Sequence, residues 1–292
     1  MVLQVDVEFL KEFEEQLEPV RPEKSQIPAK LVGVGRISAA YEILREDQEN
    51  IVYTRMPFFE NVEQIEEYEK QYHRYNEQLK EIGVDISEYG TTHVVTKRGR
   101  TVLYLYRQKQ SPKTTAIGVL NRIAGTECFA LARHILKEMN KVWKFNSKNR
   151  FGLEVSLDGR LPNWSLPTLD TESPRVDGKT RLQHIPESTP LMRQDGHELL
   201  NAELFLLRAT EITRPILRRR YMRDVLARYY DLRRVSLDML ANFIREIRSN
   251  LVSGLIDVAN QFLGEEAAVE HLVPLTPEEV KQYKAPTSTW KL

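Results

Sequence analysis

One cysteine, Cys128, is all that the 292-residue chain contains. A lone thiol excludes an internal disulfide framework. With His73, His93, His134, His184, His197 and His271 scattered along the chain, it also argues against a structural zinc site. Charge of one sign is missing too: 42 Lys and Arg balance 42 Asp and Glu. Bulk electrostatics therefore gives no footing for nucleic acid or a membrane as the main partner, and any basic patch has to be read locally. No window approaches the roughly 20 apolar residues of a membrane span. The opening MVLQVDVEFLKEFEEQL is acidic and amphipathic where a secretory signal is basic and then apolar. A reducing, cytoplasmic setting is the expectation, which makes Asn163-Trp164-Ser165 a chance glycosylation sequon.

What is present is enough apolar material, 41% of the residues, for one large domain or two lobes around a sizeable core. Phe9, Leu10, Phe13 and Leu17 share one helical face, and Pro19 and Pro22 end that helix. From Lys30 to Arg55 the pattern is strand, Gly turn, strand, polar turn and a β-rich IVYTRMP, which predicts three antiparallel strands. Residues 61–82 carry Val62, Ile65, Tyr72, Leu79 and Ile82 at helical spacing, with Asn61 as cap and Gly83 as terminator. THVVTKRGRTVLYLYRQ then alternates around a Lys-Arg-Gly turn and brings the sheet to five strands.

After Ser111-Pro112 the pattern turns helical, in one broken helix or two consecutive ones up to about residue 146. Residues 150–195 are rich in Pro, Gly, Asp and Ser, and helical periodicity returns over about 197–264. The expected division is a leading helix and linker over 1–27, an α+β lobe over 28–110, and a mainly helical lobe over 111–292. The tail VPLTPEEVKQYKAPTSTWKL reads as loosely ordered.

Short motifs punctuate this order. KLVGVGRISAAYEIL holds Gly33-x-Gly35-x-x-Ser38-x-Ala40 between two strands, either a phosphate cradle or a plain hairpin. About twenty residues on, Arg55 stands on the third strand. Glu69 lies nearest the apolar stripe of the following helix. EVSLDGRLPNWSLP supplies Asp158-x-x-x-x-Asn163 with Arg160 between them, and RLQHIPESTPLMR offers Glu187 as its carboxylate. The bland readings are a solvent-facing strand arginine, a solvated glutamate face and an Asp-Gly turn.

In this order the motifs resemble the protein-kinase-like superfamily, with departures: Ser38 for the third glycine, Arg55 for the strand lysine, Ser156-Leu157 for His-Arg, and no Asp-Phe-Gly. The resemblance implies a two-lobed fold with a five-stranded antiparallel sheet and one long helix in the first lobe and helices in the second. It implies a degenerate kinase-like protein, a pseudokinase or a nucleotide-binding or scaffolding module that can do without a cofactor, or else an active ATP-dependent phosphotransferase that uses ATP and Mg2+. Gly33, Gly35, Ser38, Arg55 and Glu69 would hold nucleotide, Asp158 would position an acceptor hydroxyl, Arg160 would neutralise the transferred group, and Asn163 and Glu187 would bind metal. The partners implied are a nucleotide and a small-molecule or protein substrate.

A competing feature is TRPILRRRYMRDVLARYYDLRR, residues 213–234, where arginines interleave with Tyr221, Tyr229 and Tyr230. Such a segment suits RNA or another anionic surface. The neutral charge of the whole chain favours instead a helix with arginines on its wet face and in ion pairs.

Overall fold

The structure, a computed structural model, describes residues 3–35, 38–201, 226–246 and 249–283. Its first helix, α1 (Val7–Gln16), starts where the Asp6 carboxylate accepts hydrogen bonds from the amides of Glu8 and Phe9 at 3.0 and 3.2 Å. Those amides have no partner inside the helix, so the cap stabilises its first turn. Phe9, Leu10 and Phe13 are buried, and Glu14 is buried with them.

Five strands follow: β1 (Ala29–Val34), β2 (Ala39–Ile43), β3 (Ile51–Met56), β4 (Tyr89–Val95) and β5 (Thr101–Gln108). They form one antiparallel sheet in the order β1-β2-β3-β5-β4. Between β3 and β4 runs α2 (Val62–Ile82). Asn61 caps it at 2.9 Å through the amide of Gln64. Gly83 ends it at φ +93, where its amide and that of Val84 close the last turn; that left-handed conformation favours glycine.

Strand alternation sorts the sheet's two faces. Ile51, Tyr53, Val102 and Tyr104 pack with Phe9, Leu10 and Phe13 of α1 on the outer face. Met56, Leu103 and Leu105 pack with Ile65, Tyr68, Tyr72 and Leu79 of α2 on the inner face.

The helical break predicted after Ser111-Pro112 gives two helices, α3 (Ala116–Leu120) and α4 (Gly125–Lys148). Gly118 cannot be replaced freely, because a Cβ there would lie 1.8 Å from the Pro112 carbonyl oxygen. Leu131, Ile135, Leu136 and Met139 of α4 are fully buried, each contributing roughly 1.5–3 kcal/mol by leaving water. The turn-rich stretch holds β6 (Leu153–Val155), β7 (Trp164–Ser165), β8 (Gln183–His184), β9 (Met192–Gln194) and β10 (His197–Glu198). They pair as β10-β9-β6 and β7-β8.

The carboxy-terminal part packs α5 (Leu232–Glu246) and α6 (Val252–Glu265) against α4. The tail differs from the sequence expectation as far as Gln282. Thr276 and Glu279 make a reciprocal cap for a last helix, α7 (Pro277–Gln282), and Val280 is buried. A TPEE sequence is a helix start in its own right. The described residues thus form an α+β fold with one five-stranded antiparallel sheet and seven α-helices, and no helix among them is long and apolar enough to cross a membrane.

Candidate functional site

The segment from Ser156 to Asn163 is mostly buried and is held by several elements. Asn146 of α4 clamps its start, accepting from the Val155 amide at 3.0 Å and donating to the Val155 carbonyl at 2.8 Å. The Tyr75 hydroxyl of α2 donates to the Ser156 carbonyl at 2.8 Å, and the Ser156 hydroxyl donates to the Tyr229 carbonyl. Asn242 of α5 accepts from the Leu161 amide at 3.0 Å, and the Trp164 indole donates to the Gly159 carbonyl at 3.2 Å. Such redundancy leaves the loop little freedom, which is what a site needing sub-ångström placement requires.

Asp158 is only 2% exposed. Arg160 reaches back over it, its Nε lying 2.9 and 2.7 Å from the two carboxylate oxygens and its Nη2 bonded to Oδ2. Burial works against the Arg160 charge, but the Asp158 carboxylate holds its pKa above the ordinary value. The Asn163 side-chain amide donates to the Asp158 carbonyl at 3.2 Å, which aims the amide group back along the loop.

The β7–β8 hairpin carries the next element to the same place. Ile185 donates to the Asn163 carbonyl at 2.8 Å, and His184 joins the segment after α2 through bonds with Asp85 and Ser87. Three residues beyond β8, Glu187 brings its carboxyl within hydrogen-bonding reach of Asp158. Burial first, then the Asp158 charge, pushes the Glu187 carboxyl well above its usual range. His184 is fully buried edge-on to Trp164, with ring centroids 5.0 Å apart, and its Nε2 lies 3.7 Å from Glu187. Burial takes its pKa down to about 4. From α5, Asp238 completes the acidic side; burial and the Asp158 charge push it up to about 6, with Arg228 3.8 Å away.

The cluster suits a hard cation chemically: two carboxyls, Asp158 and Glu187, and an amide, Asn163, present oxygen donors of the kind magnesium takes. Among the described residues no three His, Cys, Asp or Glu side chains converge as a ligand set, so Asn163 and water would have to complete the shell.

Asp158, Arg160, Asn163 and Glu187 are therefore neighbours. Arg55 and Glu69, grouped with them in the motif order, lie apart from them and bind other partners. Arg55 shares its face of β3 with Ile51 and Tyr53, beneath α1, and binds Glu14 through Nε and Nη2 at 2.7 Å each. Glu69 faces β4, 3.9 Å from His93. Inward-facing on β3 are Val52, Thr54 and Met56, because side chains alternate along a strand. Gly33 and Gly35 stand in the β1–β2 hairpin, Gly33 opposite Ala40 and the Gly35 amide bonded to the Ser38 carbonyl at 2.8 Å; residues 36–37 at its tip lie outside the described residues.

Of the basic segment, residues 213–225 also lie outside them. Its described arginines are engaged within the fold: Arg228 with Asp238, Arg233 with Glu279 at 2.8 Å, and Arg234 with Asp231 at 3.4 Å. Sequence reasoning missed Glu14 and Asp238. Both carry the same signal, an acid inside an apolar helical stripe, Leu10-Phe13-Glu14 and Val235-Asp238-Met239.

No family model and no curated protein matches the sequence. Among solved structures the chain is similar to WaaP in complex with acyl carrier protein, at 13% identity and a TM-score of 0.40 over 90% of this chain and 99% of that one. It is also similar to amicoumacin kinase hAmiN in complex with AMP-PNP, Ca2+ and Ami, at 7% identity and a TM-score of 0.30 over 91% and 95%. Likenesses at such scores assign no chemistry to this chain.

Proposed function

We propose that the protein is kinase-like, with the sheet and α2 as one lobe, the helical remainder as the other, and a phosphotransfer site at Asp158. The carrying observation is the convergence of Asp158, Asn163 and Glu187 from the two sides of the β7–β8 hairpin. Strand, strand, strand, helix, hairpin, then helices and a polar loop is the element order that the reading requires.

In this reading Asp158, oriented by Arg160 and by the loop clamps, takes the proton of an acceptor hydroxyl. The hydroxyl oxygen forms a bond to the γ-phosphorus of ATP, and the bond to the β-phosphate oxygen breaks to release ADP. Arg160 stands beside the position where negative charge gathers. Asn163 and Glu187 would hold magnesium, which when bound supplies Lewis-acid charge to phosphate oxygens. Binding, orientation and proton acceptance are the work of the chain's own residues.

A second reading, a pseudokinase that binds nucleotide or a partner without transfer, draws on one observation: Arg160 engages both oxygens of Asp158. Phosphate release from ATP, measured with magnesium in the wild type and in Asp158→Asn, separates the two. Turnover that Asp158→Asn abolishes supports transfer. Magnesium-independent AMP-PNP binding without turnover supports the second reading. No stabilisation at millimolar nucleotide removes transfer and nucleotide binding alike, since binding to the native state must raise apparent stability, and leaves only a module that binds a partner.

A further inference from the structure

With Arg55 turned to the outer face, the inner face of the sheet lacks the cation that the motif order places on β3. β5 supplies another. Leu103 and Leu105 face α2, and strand alternation puts Arg107 on the same side. The antiparallel register sets Arg107 between Val52 of β3 and Tyr89 of β4. Besides Tyr89, the titratable groups that act on it are Tyr72 on α2 and Glu42 on β2. Glu42 is already bound, by Lys109 at 3.0 Å.

The Arg107 side chain makes no hydrogen bond or ion pair among the described residues, although it is half-buried. Burial lowers its pKa from the ordinary value. A half-buried guanidinium with no carboxylate on its fork keeps its donors available, and an anion is the partner that suits them. Its five donors match phosphate oxygens two at a time. Tyr72 connects this spot to the acidic cluster, since its phenol lies within the fields of both Arg107 and Glu187.

The geometry points to Arg107 as a phosphate-binding residue, the cation on the inner face of the sheet that grips the phosphate chain of a bound nucleotide opposite Asp158 and Glu187. Naming the anion as a nucleotide's rests on the kinase-like reading; the anion site itself rests on Arg107 and its surroundings.

The test is calorimetric titration of the full chain with inorganic tripolyphosphate and with AMP-PNP, in wild type, Arg107→Gln and Arg107→Lys. Arg107→Gln is expected to weaken both ligands by about 10- to 100-fold, the worth of a charge-assisted pair of hydrogen bonds. Arg107→Lys keeps charge and bulk, so it guards against misfolding of the neutral variant, and it should lose about tenfold because a point charge cannot fork. Undiminished affinity of Arg107→Gln for both ligands overturns the assignment, as does a wild type that binds neither. If the wild type binds tripolyphosphate through Arg107 and not AMP-PNP, the anion site stands and the nucleotide reading falls. If Asp158→Asn abolishes transfer while Arg107→Gln leaves nucleotide affinity intact, Arg107 falls and the function stands.

Discussion

Two buried charged clusters lie in this molecule, and they are built to opposite plans. On the outer face of the sheet a single acid, Glu14, receives Arg55 and Arg100 and the Tyr104 hydroxyl, the last at 2.5 Å, so that both its oxygens are filled. In the interior, Asp158, Glu187 and Asp238 gather around Arg160, with Arg228 further off. The first cluster is complete and has nothing left to bind. The second holds a surplus of carboxyl groups, and burial pushes up the proton affinities of two of them, Glu187 and Asp238. A buried ion pair satisfied on all sides fixes a helix to a sheet; a buried surplus of one sign is stable only with a counter-ion or a proton, which is what the proposed phosphotransfer site would use.

The comparison can be broken at either end. The largest effect is expected at Asp158: replacing it with Asn should reduce phosphate transfer by 10^2- to 10^4-fold per folded molecule, with the folded fraction read from the thermal unfolding midpoint. A transfer rate that survives would make the acid surplus structural after all. Next comes Glu14→Ala, which strands Arg55 in the outer cluster and should cost about 3–5 kcal/mol in denaturant unfolding, while tripolyphosphate affinity measured on the folded fraction stays as it was. A change in that affinity would show that the two clusters are coupled.

A third difference lies in acid. His184 is held neutral to about pH 4 against an ordinary 6.5, so the unfolded chain takes up a proton first. Its contribution to stability is whole above pH 6.5 and drains away as pH falls towards 4, by roughly 3 kcal/mol. At Glu14, burial pushes the carboxyl up, but the Arg55 hydrogen bonds and charge, then Tyr104 and Arg100, more than offset it. A lowered carboxyl keeps its contribution above the unfolded value and loses it only as pH falls through the folded one, so this arm lies below about pH 4.5. Over the same range Asp238 and Glu187, both pushed up, take up protons first in the folded state and offset part of this loss. The readout is therefore the difference between wild type and His184→Leu, which should grow by roughly 3 kcal/mol from pH 6.5 to 4, while the fall below about pH 4.5 is common to both; a difference that does not change with pH would refute the separation. The smallest effect is expected from Tyr75→Phe, which leaves the Ser156 carbonyl without its donor; about 1 kcal/mol of stability should go, read as a shift in the urea midpoint.

Much of the fold was legible because local rules act over a few residues. Asn61 and Gly83 bound α2 where the cap and terminator rules place them, and alternation around Lys97-Arg98-Gly99 marks the β4–β5 hairpin. As far as Gln282 the tail departs from its Pro-rich composition because a TPEE cap starts a helix there. At the site, the spacing of Asp158, Arg160 and Asn163 was visible because one loop carries all three. Glu187 was reachable through the hairpin that precedes it. Arg55 shows where such reading stops. Both faces of β3 are apolar, Ile51 and Tyr53 on one side and Val52 and Met56 on the other, so alternation alone could not say which face looks towards α2.

The sequence by itself determined the order of strands and helices, their caps and turns, and the loop that carries Asp158, since each depends on the dihedral and hydrogen-bond preferences of neighbouring residues. Only the tertiary structure decided which charges meet. Whether Arg55 finds Glu14 or Glu69, and whether Arg107 is left unpaired beside Tyr72, depends on how α1 and α2 cover the two faces of one sheet. That choice is made by the burial of whole apolar faces, and no short stretch of chain contains it.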